Sequence, residues 1–146
     1  MNFAKEKDLD RVYKMFMLYK EIFPHIRKDY LERYIKKGEV ILQKGVVIVF
    51  HRYIKGVHLG TAYISKGHYI LHQIVANIPG NGNAGMVLSK FIKYTDAPIW
   101  LTVRKDNERA IRFYEKHGFR EVGTIQWADD TIPGVVMNRD YPSEYW

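Results

Sequence analysis

Apolar residues recur near the start of the chain at helical spacing. Leu9, Val12, Tyr13 and Phe16 follow the i, i+3, i+4, i+7 rule and predict a helix, with Asp8 placed to cap it. Phe23-Pro24-His25 breaks that helix, because proline has no backbone donor to continue it. Leu31, Tyr34 and Ile35 mark a second helix, and Gly38 is its expected stop. The period then changes. Val46–Ile54, Leu59–Ile64 and Tyr69–Val75 are rich in β-branched and aromatic residues and are separated by Lys-Gly turns, which predicts successive antiparallel strands. Ala84, Val87, Leu88, Phe91 and Ile92 return to helical spacing. Ile99–Val103 reads as a strand. Asn107–His117 reads as a helix with Asn107 as N-cap and Gly118 just past its end. Phe119–Trp127 and Val135–Tyr141 are the last two strands.

The order is two helices, three strands, helix, strand, helix, two strands. Only Tyr69 to Val103 forms a βαβ unit, whose strands should run parallel with a right-handed crossover. The pattern therefore predicts an α/β (α+β) fold: a mixed, mostly antiparallel sheet with one parallel pair, flanked by helices. With 146 residues and no linker or repeat, residues 1–146 are expected to form one domain.

Composition narrows the chemistry. There is no cysteine, which excludes disulfides, thiolate metal sites and a cysteine nucleophile, and fits a cytoplasmic protein. Met1 to Asp10 is polar and contains acids, unlike a signal peptide, and the run Val46–Phe50 is far too short to cross a membrane. The histidines show no metal-ligand spacing and no HExxH, so no metal is expected. The net charge of +7 serves solubility or a polyanionic ligand.

Gly80, Gly82 and Gly85 spell G-x-G-x-x-G between a strand and a helix, and Asp106 lies about twenty residues on, as in a dinucleotide fingerprint. Two features speak against that reading. A dinucleotide fold needs repeated βα units, and here Asn77-Ile78-Pro79 separate the strand from the first glycine. A phosphate cradle survives, because glycines allow close backbone approach and the first N–H groups of a helix attract anions. A plain strand-to-helix connector is the competing reading.

The stretch IWLTVRKDNERAIRFYEKHGFREVG resembles the C-terminal signature of the GNAT superfamily, the acyl-CoA N-acyltransferases. Asn107, Ala110, Phe113, Tyr114, Glu115, Lys116, Gly118 and Phe119 carry the match, and the resemblance is clear from about Tyr69 to Gly123. It implies acetyl transfer from acetyl-CoA (coenzyme A) to an amine. It also implies that Gly80, Asn81, Gly82, Asn83, Ala84 and Gly85 form the pyrophosphate loop, with Asn107 on the pantetheine arm. The loop departs from type: the family's Arg or Gln is Gly80, and the family's first glycine is Asn83, which must then tolerate that glycine's backbone angle. The resemblance gives Tyr114 the role of acid toward the leaving thiolate. It gives the backbone N–H groups of Ile74 and Val75 the developing oxyanion. The family often keeps a carboxylate on the strand before the loop. This strand has none, so His72 is the nearest candidate base, with a water or Asp129 or Asp130 as the alternatives. Arg109 and Arg112 could approach the cofactor's phosphates, although Glu108–Arg112 is also an i,i+4 surface pair. Without cysteine, direct attack with no covalent enzyme intermediate is expected.

In such folds the first two helices and the last hairpin shape the acceptor site. Here they offer Phe23, Pro24, His25, Trp127, Asp129, Asp130 and Ile132, an aromatic wall with two carboxylates suited to a cationic small-molecule or peptide amine. The resemblance also makes a homodimer possible. Two other readings stand beside this one. One is a GNAT-like domain that binds acyl-CoA without turnover. The other is a nucleic-acid module built on the basic and aromatic stretch Ile26 to Lys37, which reads better as an amphipathic helix with a solvated basic face.

Overall fold

A computed structural model describes residues 1–127 and 131–140. Its elements are a short 3-10 turn at Glu6–Asp8, then α1 (Leu9–Met17), α2 (Lys28–Lys36), β1 (Val40–Gln43), β2 (Val46–Arg52), β3 (Val57–Leu59), β4 (Ala62–Ile64), β5 (Tyr69–Ala76), α3 (Asn83–Thr95), β6 (Ile99–Arg104), α4 (Glu108–Lys116), β7 (Arg120–Trp127) and β8 (Ile132–Arg139). They fall into two compact units. The first takes Met1–Phe50 and Gln73–Phe91; the second takes His51–His72 and the chain from Ile92 onward.

The first unit is built around β2. Val46 to Phe50 are all buried, as expected of a strand covered on both faces. On one face Val47 and Val49 join Val40 and Val75 in a cluster with Val12, Met15 and Phe16 of α1 and Leu31 and Ile35 of α2. On the other, Phe50 meets Phe91 of α3 at 5.0 Å between ring centroids. β1 pairs antiparallel with β2 from Val40↔Val49 to Gln43↔Val46 through a Lys44-Gly45 turn. The sequence pattern missed β1: its apolar run is only Val40-Ile41-Leu42, too short to show a period.

The second unit contains a parallel pairing of β5 with β6 at Tyr69↔Ile99 and Ile70↔Trp100. β8 then pairs antiparallel with β6 on one side and with β7 on the other. The mixed sheet is thus as expected. The strand predicted over Leu59–Ile64 is instead a tight hairpin of β3 and β4 that turns at Gly60, whose φ is +58°. It belongs to a two-stranded sheet of its own. It lies against β7: Thr61 N–H donates to Thr124 C=O at 2.9 Å, and Thr124 N–H donates to Thr61 Oγ1 at 2.9 Å.

Helix ends follow their local chemistry with one correction. Gly38 (φ +73°) and Gly118 (φ +86°) end α2 and α4 in left-handed caps. Asp8 does not cap α1. Its φ and ψ are helical, and its Oδ2 accepts from Lys5 N–H at 2.8 Å, which closes the preceding 3-10 turn. α1 stops at Met17, before the Phe23-Pro24 break.

Gly60 tests how far the second unit depends on the hairpin. A Cβ there would overlap Thr124 C=O, and the left-handed angle disfavours any side chain. Gly60→Ala should cost about 2–4 kcal/mol in urea unfolding, the sum of backbone strain and overpacking. A loss below about 0.5 kcal/mol would show that the hairpin is dispensable.

Candidate functional site

The residues singled out in the sequence divide between the two units. Ile74, Val75, Gly80 to Gly85 and Phe23 lie in the first; His72, Asn107, Tyr114 and Trp127 lie in the second. Asp129 and Asp130 lie outside the described residues.

In the first unit, β5 ends at Ala76 and α3 begins at Asn83. The connecting chain runs left-handed at Gly80 (φ +81°) and at Gly82 (φ +84°). A Cβ at either position would meet nothing within 4 Å, so the requirement for glycine is in the dihedral and not in the space. Gly82 C=O accepts from Met86 N–H at 3.2 Å and so opens the helix. Asn83 N–H donates to Asn81 Oδ1 at 3.0 Å. The N–H groups of Ala84 and Gly85 follow in the first turn, where a helix offers no acceptor of its own. With the helix dipole behind them they form a donor set for an anion. Asn83 is not left-handed. Among the described residues the non-glycine positions with positive φ are Lys44 and Asp96. The expectation that Asn83 must tolerate a glycine angle is therefore corrected: the loop places those angles at Gly80 and Gly82.

Several contacts around this loop are invisible in the sequence because their partners are far apart along it. Tyr19 O–H donates to Ala76 C=O at 2.7 Å, across 57 residues. Asn77 N–H donates to Gly45 C=O at 2.9 Å. Tyr30 O–H donates to Gln73 Oε1 at 3.0 Å, and burial pushes the Tyr30 hydroxyl up to about 12. Val75 is buried in the first unit's core, while Ile74 is half-buried. Phe23 packs edge-on against Phe16 at 5.3 Å.

In the second unit, Asn107 caps α4 as expected: its Oδ1 accepts from Ala110 N–H at 3.2 Å. Tyr114 stands in the same helix seven residues on, a rise of about 10 Å. Its ring is buried between Phe113 (5.5 Å) and Phe119 (5.7 Å), and burial raises its hydroxyl well above the ordinary tyrosine value. Arg112 and Glu108 form the i,i+4 pair at 3.7 Å on the exposed face. His72 is partly buried on β5. Burial, with the His51 charge as a smaller second cause, lowers it to about 4. Trp127 ends β7 with its ring over Gly134, where a Cβ would overlap it. His68, which the sequence reading passed over, accepts at Nδ1 from Trp100 Nε1–H at 3.0 Å. Among the described residues no group of three or more His, Asp or Glu could hold a metal ion. No helix among them is long and apolar enough to cross a membrane.

The profile of the Acetyltransferase (GNAT) family matches residues 9–119. No curated protein matches by sequence. Among solved structures, a GNAT-family acetyltransferase from Bacillus cereus is 16% identical with a TM-score of 0.72, over 96% of this chain and 95% of that one. The ribosomal-protein-S18-alanine N-acetyltransferase from Escherichia coli is 17% identical with a TM-score of 0.69, over 97% and 92%. Naa20 from Chaetomium thermophilum, in complex with a bisubstrate analogue, is 14% identical with a TM-score of 0.75, over 96% and 85%. At these identities the likeness is one of fold.

The lowered pKa of His72 links folding to pH. The folded protein binds the proton more weakly than the unfolded chain, so His72's contribution is complete above about 6.5 and is lost as pH falls toward 4. The loss is at most about 3 kcal/mol. His72→Gln should flatten urea-unfolding stability between pH 6.5 and 4.5 relative to wild type. Parallel profiles for the two proteins would disprove the linkage.

Proposed function

Because the chain belongs to the Acetyltransferase (GNAT) family, we propose that it moves an acetyl group from acetyl-CoA to a primary amine by direct attack, as a single functional domain over residues 1–146. The observation that carries this reading is the left-handed path through Gly80 and Gly82 into α3, which leaves the N–H groups of Ala84 and Gly85 at the helix start. Such a donor set fits a pyrophosphate without any side-chain cation, and so fits a loop whose usual Arg or Gln is Gly80. Acetyl-CoA would supply the activated acyl group as a thioester. Gly80, Asn81, Gly82, Asn83, Ala84 and Gly85 would hold its pyrophosphate. Asn107 would meet the pantetheine arm, and the N–H groups of Ile74 and Val75 would face the carbonyl oxygen as negative charge builds on it.

Tyr114 keeps its proton throughout the physiological range, because burial raises its hydroxyl. Its role in this reading is to give a hydrogen bond to the departing sulfur. His72, lowered to about 4, is neutral at pH 7 and a weak base. It can receive a proton through water but provides little drive to deprotonate a strongly basic amine.

That weakness bears on the acceptor. At pH 7.4 roughly a fifth to a third of an α-amino group is already neutral, against about 0.1% of a lysine side chain. A site without a carboxylate on β5 and with a weak His72 suits an α-amine, such as a peptide N-terminus, better than a lysine. The Escherichia coli neighbour, a ribosomal-protein-S18-alanine N-acetyltransferase, supports the same reading. Phe23 and Trp127, with Asp129 and Asp130, are the side chains we assign to the acceptor. The cytoplasm is the compartment that fits a chain without cysteine.

Calorimetric titration tests the cofactor reading: acetyl-CoA should bind saturably at one site, and NADH and a short DNA duplex should not. Binding of NADH or DNA in its place would refute it. With acetyl-CoA bound, Tyr114→Phe should lower kcat about 100-fold and leave the acetyl-CoA Kd within about twofold. A peptide with a free N-terminus should be acetylated at least about tenfold faster than an N-blocked lysine peptide, and a faster lysine reaction would overturn the acceptor assignment.

A further inference from the structure

The departure from the family's glycine at position 83 has a structural use. Asn83 begins α3, and both its backbone and its side chain are engaged. Its N–H turns back to Asn81 Oδ1 at 3.0 Å, and its Nδ2–H reaches across 39 residues to Lys44 C=O at 3.2 Å. A second link lies beside it, where Asn77 N–H donates to Gly45 C=O at 2.9 Å. A third is packing: the Asn77 amide lies so close over Gly45 that a Cβ there would overlap it. The Lys44-Gly45 turn is itself fixed, left-handed at both residues with φ of +52° and +70°. The loop is thus fastened to a tight turn at both ends, by Asn77 and by Asn83.

Between those two ends Pro79 fixes one φ and Asn81 Oδ1 holds Asn83 N–H, while the two glycines have no side chain to restrain them. Gly80 and Gly82 have open space where a side chain would be. Glycines carry the largest backbone entropy of any residue, so an unfastened loop of this composition must be ordered when an anion binds, and that ordering weakens binding. A glycine at 83 has no side chain with which to make the bond to Lys44. We propose that Asn83 is a positioning residue: it holds the glycine loop in its anion-binding shape by tying the start of α3 to the β1–β2 turn, and acetyl-CoA affinity depends on that tie. The inference rests on the acetyl-CoA reading above. It carries an unusual consequence, that restoring the family's glycine makes the site worse.

The test compares wild type, Asn83→Gly, Asn83→Ala and Gly45→Ala by acetyl-CoA calorimetry and steady-state kinetics. Circular dichroism confirms that each variant is folded. Loss of one hydrogen bond that orders the site should raise Kd and KM for acetyl-CoA about fivefold, with kcat within about twofold. Gly45→Ala acts from the turn's side, by pushing Asn77 away, and should give the same split. Hydrogen exchange should quicken at residues 77–82 in all three variants. If wild type binds acetyl-CoA and Asn83→Gly binds as tightly or more tightly, the tie has no role and the inference is overturned. If wild type itself fails to bind, the acetyl-CoA reading falls first and takes this one with it. A fall in kcat at unchanged KM would mean that Asn83 acts on the chemistry and not on the loop.

Discussion

A chain that leaves strand β5 at Ala76 and enters helix α3 at Asn83 has to reverse direction within a few residues. It does so by running left-handed at Gly80 and Gly82, a conformation that costs any other L-residue about 1–2 kcal/mol. This backbone constraint governs the site. It leads into the first turn of α3, where the N–H groups have no acceptor within the helix, and it leaves open space at Gly80 and Gly82 where side chains would be. The surrounding contacts compensate. Tyr19 holds the end of β5, Asn77 and Asn83 hold the β1–β2 turn, and Phe91 anchors α3 on Phe50.

The same economy shows at the margins of the sheet. A strand with one unpaired side invites pairing with another chain. In the first unit, the segment before α1 covers β1: Ala4 N–H donates to Val40 C=O, and Leu42 N–H donates to Asn2 C=O, both at 2.9 Å. In the second unit, the β3–β4 hairpin covers β7 through Thr61 and Thr124. Exposed ion pairs, such as Arg27–Asp29 at 3.1 Å and Lys36–Glu32 at 3.1 Å, add little beside this, since water screens them.

What could be read from the sequence was what local physics decides. α4 was legible from end to end, because Asn107 and Gly118 are capping residues on either side of a periodic helix. The βαβ unit and the glycine loop were legible for the same reason, and the family resemblance rested on residues within a single helix and its flanks. Elements too short to show a period were not legible, such as β1, or the turn at Gly60 hidden inside an apolar run. Asp8 misled because a 3-10 turn competes for the same carboxylate. The candidate site was only half legible. Its glycines announce themselves, but Tyr19, Lys44 and Gly45 act through partners dozens of residues away, and no local pattern marks such contacts. The buried states of Tyr114 and His72, which set their acidity, also follow from tertiary packing alone.

Neither unit is a continuous piece of chain. The first is completed only when residues 73–91 join residues 1–50, and the second unit begins in the interval between them. During synthesis two of the partners of β2 therefore arrive late: Val75 and Phe91 follow Phe50 by 25 and 41 residues. At translation speeds of about 5–20 residues per second, the wait for Phe91 is roughly 2–8 s. For that time α1 and α2 can shield one face of β2, while on the other Phe50 has Phe3, at 6.5 Å between ring centroids, but not yet Phe91. The order of the sequence thus sets the schedule on which this protein can first become itself, and no cut between the two units would release either as a single segment.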